Sequence, residues 1–311
     1  MVSGEGVRLL RWLADHPADQ AIILAGNHDV ARVMEFAGMT DERFGAARTM
    51  AEEVVRLKKE NPSQGVALEE QFSKSYPELP PSGVVGRDYR SFTVEQRALV
   101  QELLLKGRMR LAQAGLKRGR PILLTHAGVT EGDLKILGIP AERDPVKIAR
   151  RLNEELAQAV SCVRGAWQRD GAAALDFKDL HKAGRNGQEG GGLLYHRPAC
   201  EPDKTKPAPP LAPRRFQPQE LPRGLVQACG HTVHGKCLGQ LEKWAEGPAK
   251  SKDLRELRTL RVNGSKTTYE AKDAPAMDGE AVLYMIDGAM DHVPAENYAL
   301  LEIEEWLDLP G

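Results

Sequence analysis

Residues 21–29 read Ala21-Ile22-Ile23-Leu24-Ala25-Gly26-Asn27-His28-Asp29, an apolar run of strand length that stops at a glycine and hands over to three polar side chains. An unbroken apolar run is the pattern of a strand buried on both faces. In an open α/β sheet, ligands bind in the loop just past such a strand. The stretch predicts a buried strand over Ala21–Ala25, with Asn27 and His28 in the loop beyond it. An asparagine amide oxygen suits a metal ion, and an imidazole either ligates one or moves a proton.

Two later segments repeat the arrangement. Pro121–Thr125 runs into His126-Ala127-Gly128, and Leu225–Cys229 runs into Gly230-His231-Thr232. Three apolar strands that each end in an N or O ligand predict a converging metal site. In this order, Gly26-Asn27-His28-Asp29, His126-Ala127-Gly128 and Gly230-His231-Thr232 resemble the third, fourth and fifth blocks of the calcineurin-like metallophosphoesterases, in their phosphoprotein-phosphatase-like bacterial branch.

The resemblance implies an α/β (α+β) fold, the metallo-dependent phosphatase four-layer α/β/β/α sandwich, as a single domain over residues 1–311. It implies two divalent metal ions, Mn, Fe or Zn, which activate water against a phosphate ester. Asn27, His126 and His231 would ligand one of them. His234 is a further ligand candidate, although it stands one position later than in the family's Gly-His-x-His. His28 would be the general acid, next to Asp29, where the phosphoprotein phosphatases carry glutamate. Leu193–Pro198 resembles the family's apolar run ending in an arginine near the phosphate. Arg197 is therefore the candidate clamp, since guanidinium meets phosphate oxygens bidentately, and His196 is the alternative residue to face the site. The substrate stays open between a phosphorylated protein, a nucleotide and a small phosphomonoester.

The family's first two blocks, Asp-x-His and Gly-Asp-x-x-Asp-Arg, have no counterpart ahead of Gly26. Met1–Glu5 resembles the stretch just after the second block, so the chain reads as missing its first strand or strands and the second metal site as incomplete, and a non-catalytic phosphoesterase remnant is the alternative to a hydrolase. Asp179-Leu180-His181 spells Asp-x-His but lies between the fourth and fifth blocks and reads as a surface loop. Asp287-Gly288, behind a strand at Ala281–Ile286, reads as architecture.

The formal net charge of -1 gives no global attraction to nucleic acid or to an anionic membrane. No apolar stretch approaches the roughly 20 residues of a membrane span, and no signal-peptide pattern opens the chain. The 4 cysteines are widely spread without a Cys-x-x-Cys pair, as expected of free thiols in a reducing, cytoplasmic setting.

Periodicity predicts helices over Val7–Leu13, Val30–Phe36, Asp41–Lys59 with Thr40 as cap, Thr93–Ala114 and Pro145–Val160. Residues 40–120 thus read as a mostly helical insertion that either shapes substrate access or serves as scaffold. Lys117-Arg118-Gly119-Arg120 reads as a solvated loop, and the glycine-rich 184–192 segment as a flexible one. Residues 198–222 hold 8 of the 20 prolines and predict an extended surface loop. Edge strands are expected at Arg258–Val262, Thr267–Glu270, Ala281–Asp287 and Tyr298–Glu304.

Overall fold

The computed structural model describes residues 3–169, 171–200, 214–250, 257–288 and 293–307. Two compact units emerge, Met1–Arg110 with Leu156–Gly191 and Leu111–Glu155 with Gly192–Gly311. The class is mixed α/β, with one large mixed sheet. Among the described residues no helix is long and apolar enough to cross a membrane.

The first unit opens with α1 (Ser3–Asp15), β1 (Ile23–Leu24) and α2 (Asn27–Ala31). It continues through α3 (Asp41–Glu60), α4 (Pro62–Ser75), α5 (Ser82–Asp88), α6 (Val94–Leu105) and β2 (Met109–Arg110). Local chemistry sets these boundaries. The Thr40 hydroxyl accepts the Arg43 N–H at 3.1 Å, and the Thr93 hydroxyl accepts that of Gln96 at 3.2 Å. Asn61 ends α3 and caps α4, with Pro62 at the first helical position, where a missing N–H is harmless. Phe36, Phe44, Tyr89 and Phe92 form an aromatic cluster at centroid distances of 4.8–5.4 Å in the helical core, edge-packed except for the tilted Phe36–Phe92 pair.

Helices α3 and α4 touch where Gly65 lies against Lys58: a Cβ there would stand 2.6 Å from the Lys58 nitrogen and 2.7 Å from its Cα. Gly65→Ala should gain about 1 kcal/mol of helix propensity and lose about 2–3 kcal/mol to overpacking against backbone. A lowered melting temperature is the expected result. An unchanged or raised one would show that the two helices separate freely.

Three expectations are corrected in this unit, the first being the helix expected over Val30–Phe36, which ends at Ala31 and continues as turns. Asn27 and His28 do not occupy a loop: they open α2, because the Asp29 carboxylate accepts the Gly26 N–H at 3.0 Å and closes the helix start. The helix expected over Thr93–Ala114 stops at Leu105, with Gly107 in the left-handed region at φ 66°. Met109 and Arg110 then pair in parallel with Ile23 and Leu24. Apolar residues at Met109 and Leu111 fit either a helical or an extended period, and pairing decided for strands. The insertion is therefore helical only as far as Leu105.

In the second unit β3 (Ala112–Lys117) and β4 (Arg120–Thr125) form a hairpin whose two-residue turn, Arg118 at φ 52° and Gly119 at φ 68°, matches the twist of the strands. Next come α7 (Glu131–Ile136) and α8 (Pro145–Trp167), the latter started by Asp144 and continuing into the first unit, which also holds β5 (His181–Lys182). β6 (Gly191–Gly192), β7 (Arg197–Pro198) and β8 (Arg215–Phe216) are two-residue strands. The expected proline-rich loop contributes β8 and a short 3-10 turn at Pro218–Glu220; its residues 201–213 lie outside the described residues.

The chain closes with β9 (Val226–Cys229), α9 (His234–Leu241), β10 (Arg258–Asn263), β11 (Lys266–Glu270), β12 (Ala281–Met285) and β13 (Glu305–Leu307). One seven-stranded sheet runs β11-β10-β12-β9-β4-β3-β13, parallel at β12–β9 and β9–β4 and antiparallel elsewhere. Alternate residues of the central strands bury opposite faces. Leu260, Leu283 and Met285 pack in one cluster, and Ile122, Ala228, Val282 and Tyr284 in another. The strand expected at Tyr298–Glu304 is instead Glu305–Leu307. Glu304 donates its N–H to the Leu116 carbonyl at 2.8 Å, and its carboxylate accepts the Gly119 N–H at 3.0 Å, which sets the pairing register one step later.

Candidate functional site

β4 and β9 are adjacent, parallel and buried, so their carboxyl ends deliver side chains to the same sheet edge. Thr125 pairs with Cys229, and the ladder extends one step further as the Gly230 N–H donates to the His126 carbonyl at 3.0 Å. His231 follows immediately and adopts φ 65°, a left-handed conformation that disfavours a residue with a side chain by roughly 1–2 kcal/mol. His126 Nε2 stands 3.0 Å from His231 Nδ1, with ring centroids 4.8 Å apart. Both residues are half-buried.

Two imidazole nitrogens at this distance share one proton or direct their lone pairs at one ion. Nitrogens bound to a common zinc-sized ion lie about 2.9–3.4 Å apart, given bonds of about 2.0–2.1 Å. The donor pair fits a divalent transition metal on chemistry and spacing. Among the described residues no group of three or more His, Cys, Asp or Glu side chains gathers as a ready-made metal cage.

The loop that carries His126 is held from the neighbouring strand. Gln227, fully buried in β9, accepts the Val129 N–H at 2.8 Å through Oε1 and donates Nε2 to the Val129 carbonyl at 3.0 Å. Gly128, at φ 87°, donates its N–H to the Thr125 hydroxyl at 3.0 Å. One turn on, Thr130 and Asp133 form a reciprocal cap at the start of α7, where Asp133 Oδ2 accepts from both the Thr130 N–H and its hydroxyl at 2.7 Å.

Asp133 also meets buried His196, whose Nε2 lies 3.0 Å from Oδ1 and 2.8 Å from Oδ2. Burial works against the Asp133 charge, but His196 and the Thr130 hydrogen bonds prevail and hold the carboxyl below its ordinary 3.8. A depressed carboxylate pKa contributes stability that is complete above the ordinary value and is lost as pH falls through the folded one. The unfolding free energy of the wild type should therefore converge on that of Asp133→Asn below about pH 4, as read by urea titrations across pH. A constant difference down to pH 2 would refute the linkage.

The other candidates fall as follows. In the first unit, Asn27 is buried in the first turn of α2, and Asp29 serves as its cap. His28 is exposed, and its ring lies 5.0 Å from that of Tyr89. Burial lowers the His28 pKa, with Arg32 and Arg87 acting in the same direction and Asp88 and Asp29 against it. In the second unit, Arg197 is half-buried and donates its backbone N–H to the Arg214 carbonyl at 2.7 Å. His234 opens α9, buried, with Nε2 3.1 Å from the Met285 carbonyl.

Asp179 faces solvent beside Lys182 while His181 is buried, so that Asp-x-His spelling does not present both side chains to one environment. All 4 cysteines are free, and burial pushes the Cys237 thiol up to about 12, which makes it inert. Sequence reasoning missed Asp133, Gln227 and Tyr195, the last with its ring edge-on to His231 at 6.1 Å and 88°. The Thr-x-x-Asp spelling at Thr130–Asp133 was the one visible signal, and it announces a helix start rather than a histidine partner. No protein-family model, curated protein or solved structure matches this chain.

Proposed function

We propose that the chain is a metal-dependent phosphoester hydrolase built on the metallo-dependent phosphatase sandwich and acting on a phosphorylated protein, nucleotide or small phosphomonoester in the cytoplasm. The reading rests on one observation above all, the 3.0 Å His126–His231 nitrogen pair at the ends of two adjacent parallel strands. A divalent metal bound there, Mn, Fe or Zn, would polarise a phosphoryl oxygen and lower the pKa of its water. His126 and His231 would hold the ion from one edge of the sheet. Arg197, in the same unit, is the phosphate clamp under the same reading. A second ion would need carboxylates beyond the ligands named here.

The test is hydrolysis of p-nitrophenyl phosphate with and without added Mn2+, on protein whose fold is checked by circular dichroism. Turnover stimulated by Mn2+ is the expected result. A folded chain with no turnover on this ester, a phosphopeptide or a dinucleoside polyphosphate would overturn the proposal.

A further inference from the structure

We propose that Asp133 and His196 are positioning residues that hold Tyr195 edge-on against His231 and thereby set the His126–His231 nitrogen pair. The inference concerns the geometry of the pair, and its consequence for metal binding rests on the function proposed above.

Each link is a contact within the second unit. Gln227 clamps Val129, which ties the loop after His126 to β9. Thr130 caps α7 and fixes the Asp133 carboxylate in place. His196 donates Nε2 to that carboxylate, and with 3% and 1% of their side chains exposed neither partner has room to turn. The segment carrying His196 is itself a tight turn, in which the Tyr195 N–H donates to the Gly192 carbonyl at 2.8 Å and Gly192 adopts φ 92°.

The turn presents the ring of Tyr195, 4% exposed, to His231. A circuit therefore leaves the sheet at His126, passes through α7, Asp133, His196 and Tyr195, and returns at His231. His231 has particular need of such a support, because its backbone is left-handed and local preference does not hold it there. An edge-to-face aromatic neighbour restricts the imidazole to the orientation that meets His126. Asp133 and His196 act through Tyr195, so they position rather than catalyse.

Metal-free protein with 15N-labelled histidine reads the geometry directly. In the wild type, His126 and His231 should show the complementary tautomer shifts of two rings sharing a proton. Asp133→Asn and Tyr195→Ala should average those shifts, whereas Tyr195→Phe, which keeps the ring edge, should restore them. Shifts unchanged in folded Asp133→Asn, or in Tyr195→Ala if the first variant does not fold, would overturn the proposal.

Co2+ titration followed by visible absorption then reads the consequence, with an expected loss of affinity of roughly 10–100-fold in Asp133→Asn, the size seen when supports behind metal ligands are removed. Equal Co2+ binding by the wild type and His126→Ala would refute the metal reading alone, since the imidazole shifts judge the positioning independently.

Discussion

His126→Ala is expected to abolish Mn2+-stimulated hydrolysis of p-nitrophenyl phosphate while leaving the protein folded. The side chain is half-buried at the end of β4, its backbone carbonyl remains bonded to Gly230, and the loop is held by Gln227 rather than by the imidazole. The structural cost should therefore be small. The functional cost is large, because losing one of two nitrogens 3.0 Å apart leaves a monodentate position on this edge of the sheet. A bound metal supplies several kcal/mol of transition-state stabilisation, and at about 1.4 kcal/mol per tenfold its loss lowers turnover by roughly a thousandfold or more. Metal analysis of dialysed protein should show the matching loss of bound ion. Full activity in the variant would remove His126 from the site and with it the observation that carries the proposed function.

Gln227→Leu is expected to give the largest stability change near the site. Leucine has nearly the shape of glutamine and suits a position with no exposed surface. It leaves the buried Val129 N–H and carbonyl without their partner, at about 1–3 kcal/mol each. Apolar burial returns about 1–2 kcal/mol, so the net loss is roughly 0–5 kcal/mol, centred near 2–3. The melting temperature should fall by roughly 2–4 °C per kcal/mol for a unit of this size. Metal affinity should fall as well, because the loop that begins at His126 loses its tie to β9. A melting temperature equal to that of the wild type would show that Val129 finds other partners.

Much of the architecture was legible because it follows from local patterns. The apolar runs Pro121–Thr125 and Leu225–Cys229 are central strands, Thr40 and Asp144 start the helices they were expected to start, and β10 to β12 fall on the expected strand segments, although β10 and β12 lie inside the sheet rather than at its edge. Expectations failed where a segment satisfied two patterns at once. Met109–Ala114 continues a helical apolar period and also suits an extended strand, and only the partners Ile23–Leu24 and Arg120–Thr125 decide between them. Asn27-His28-Asp29 follows an apolar run and equally begins a helix, and the Asp29 carboxylate on Gly26 settles the second.

The candidate site divides along the same line. By itself, the sequence determined that His126 and His231 each stand just past a buried strand, because burial patterning and glycine punctuation are properties of short stretches. Only the tertiary structure decided that these two side chains, 105 positions apart, share a sheet edge, since strand order and register depend on pairings no short stretch contains. The same holds for His196 rather than Arg197 as the buried partner of Asp133, a pairing that spans 63 positions. Side chains facing away from solvent are chosen by the packing of the whole unit, and neither residue type nor neighbouring sequence records which of two adjacent positions turns inward.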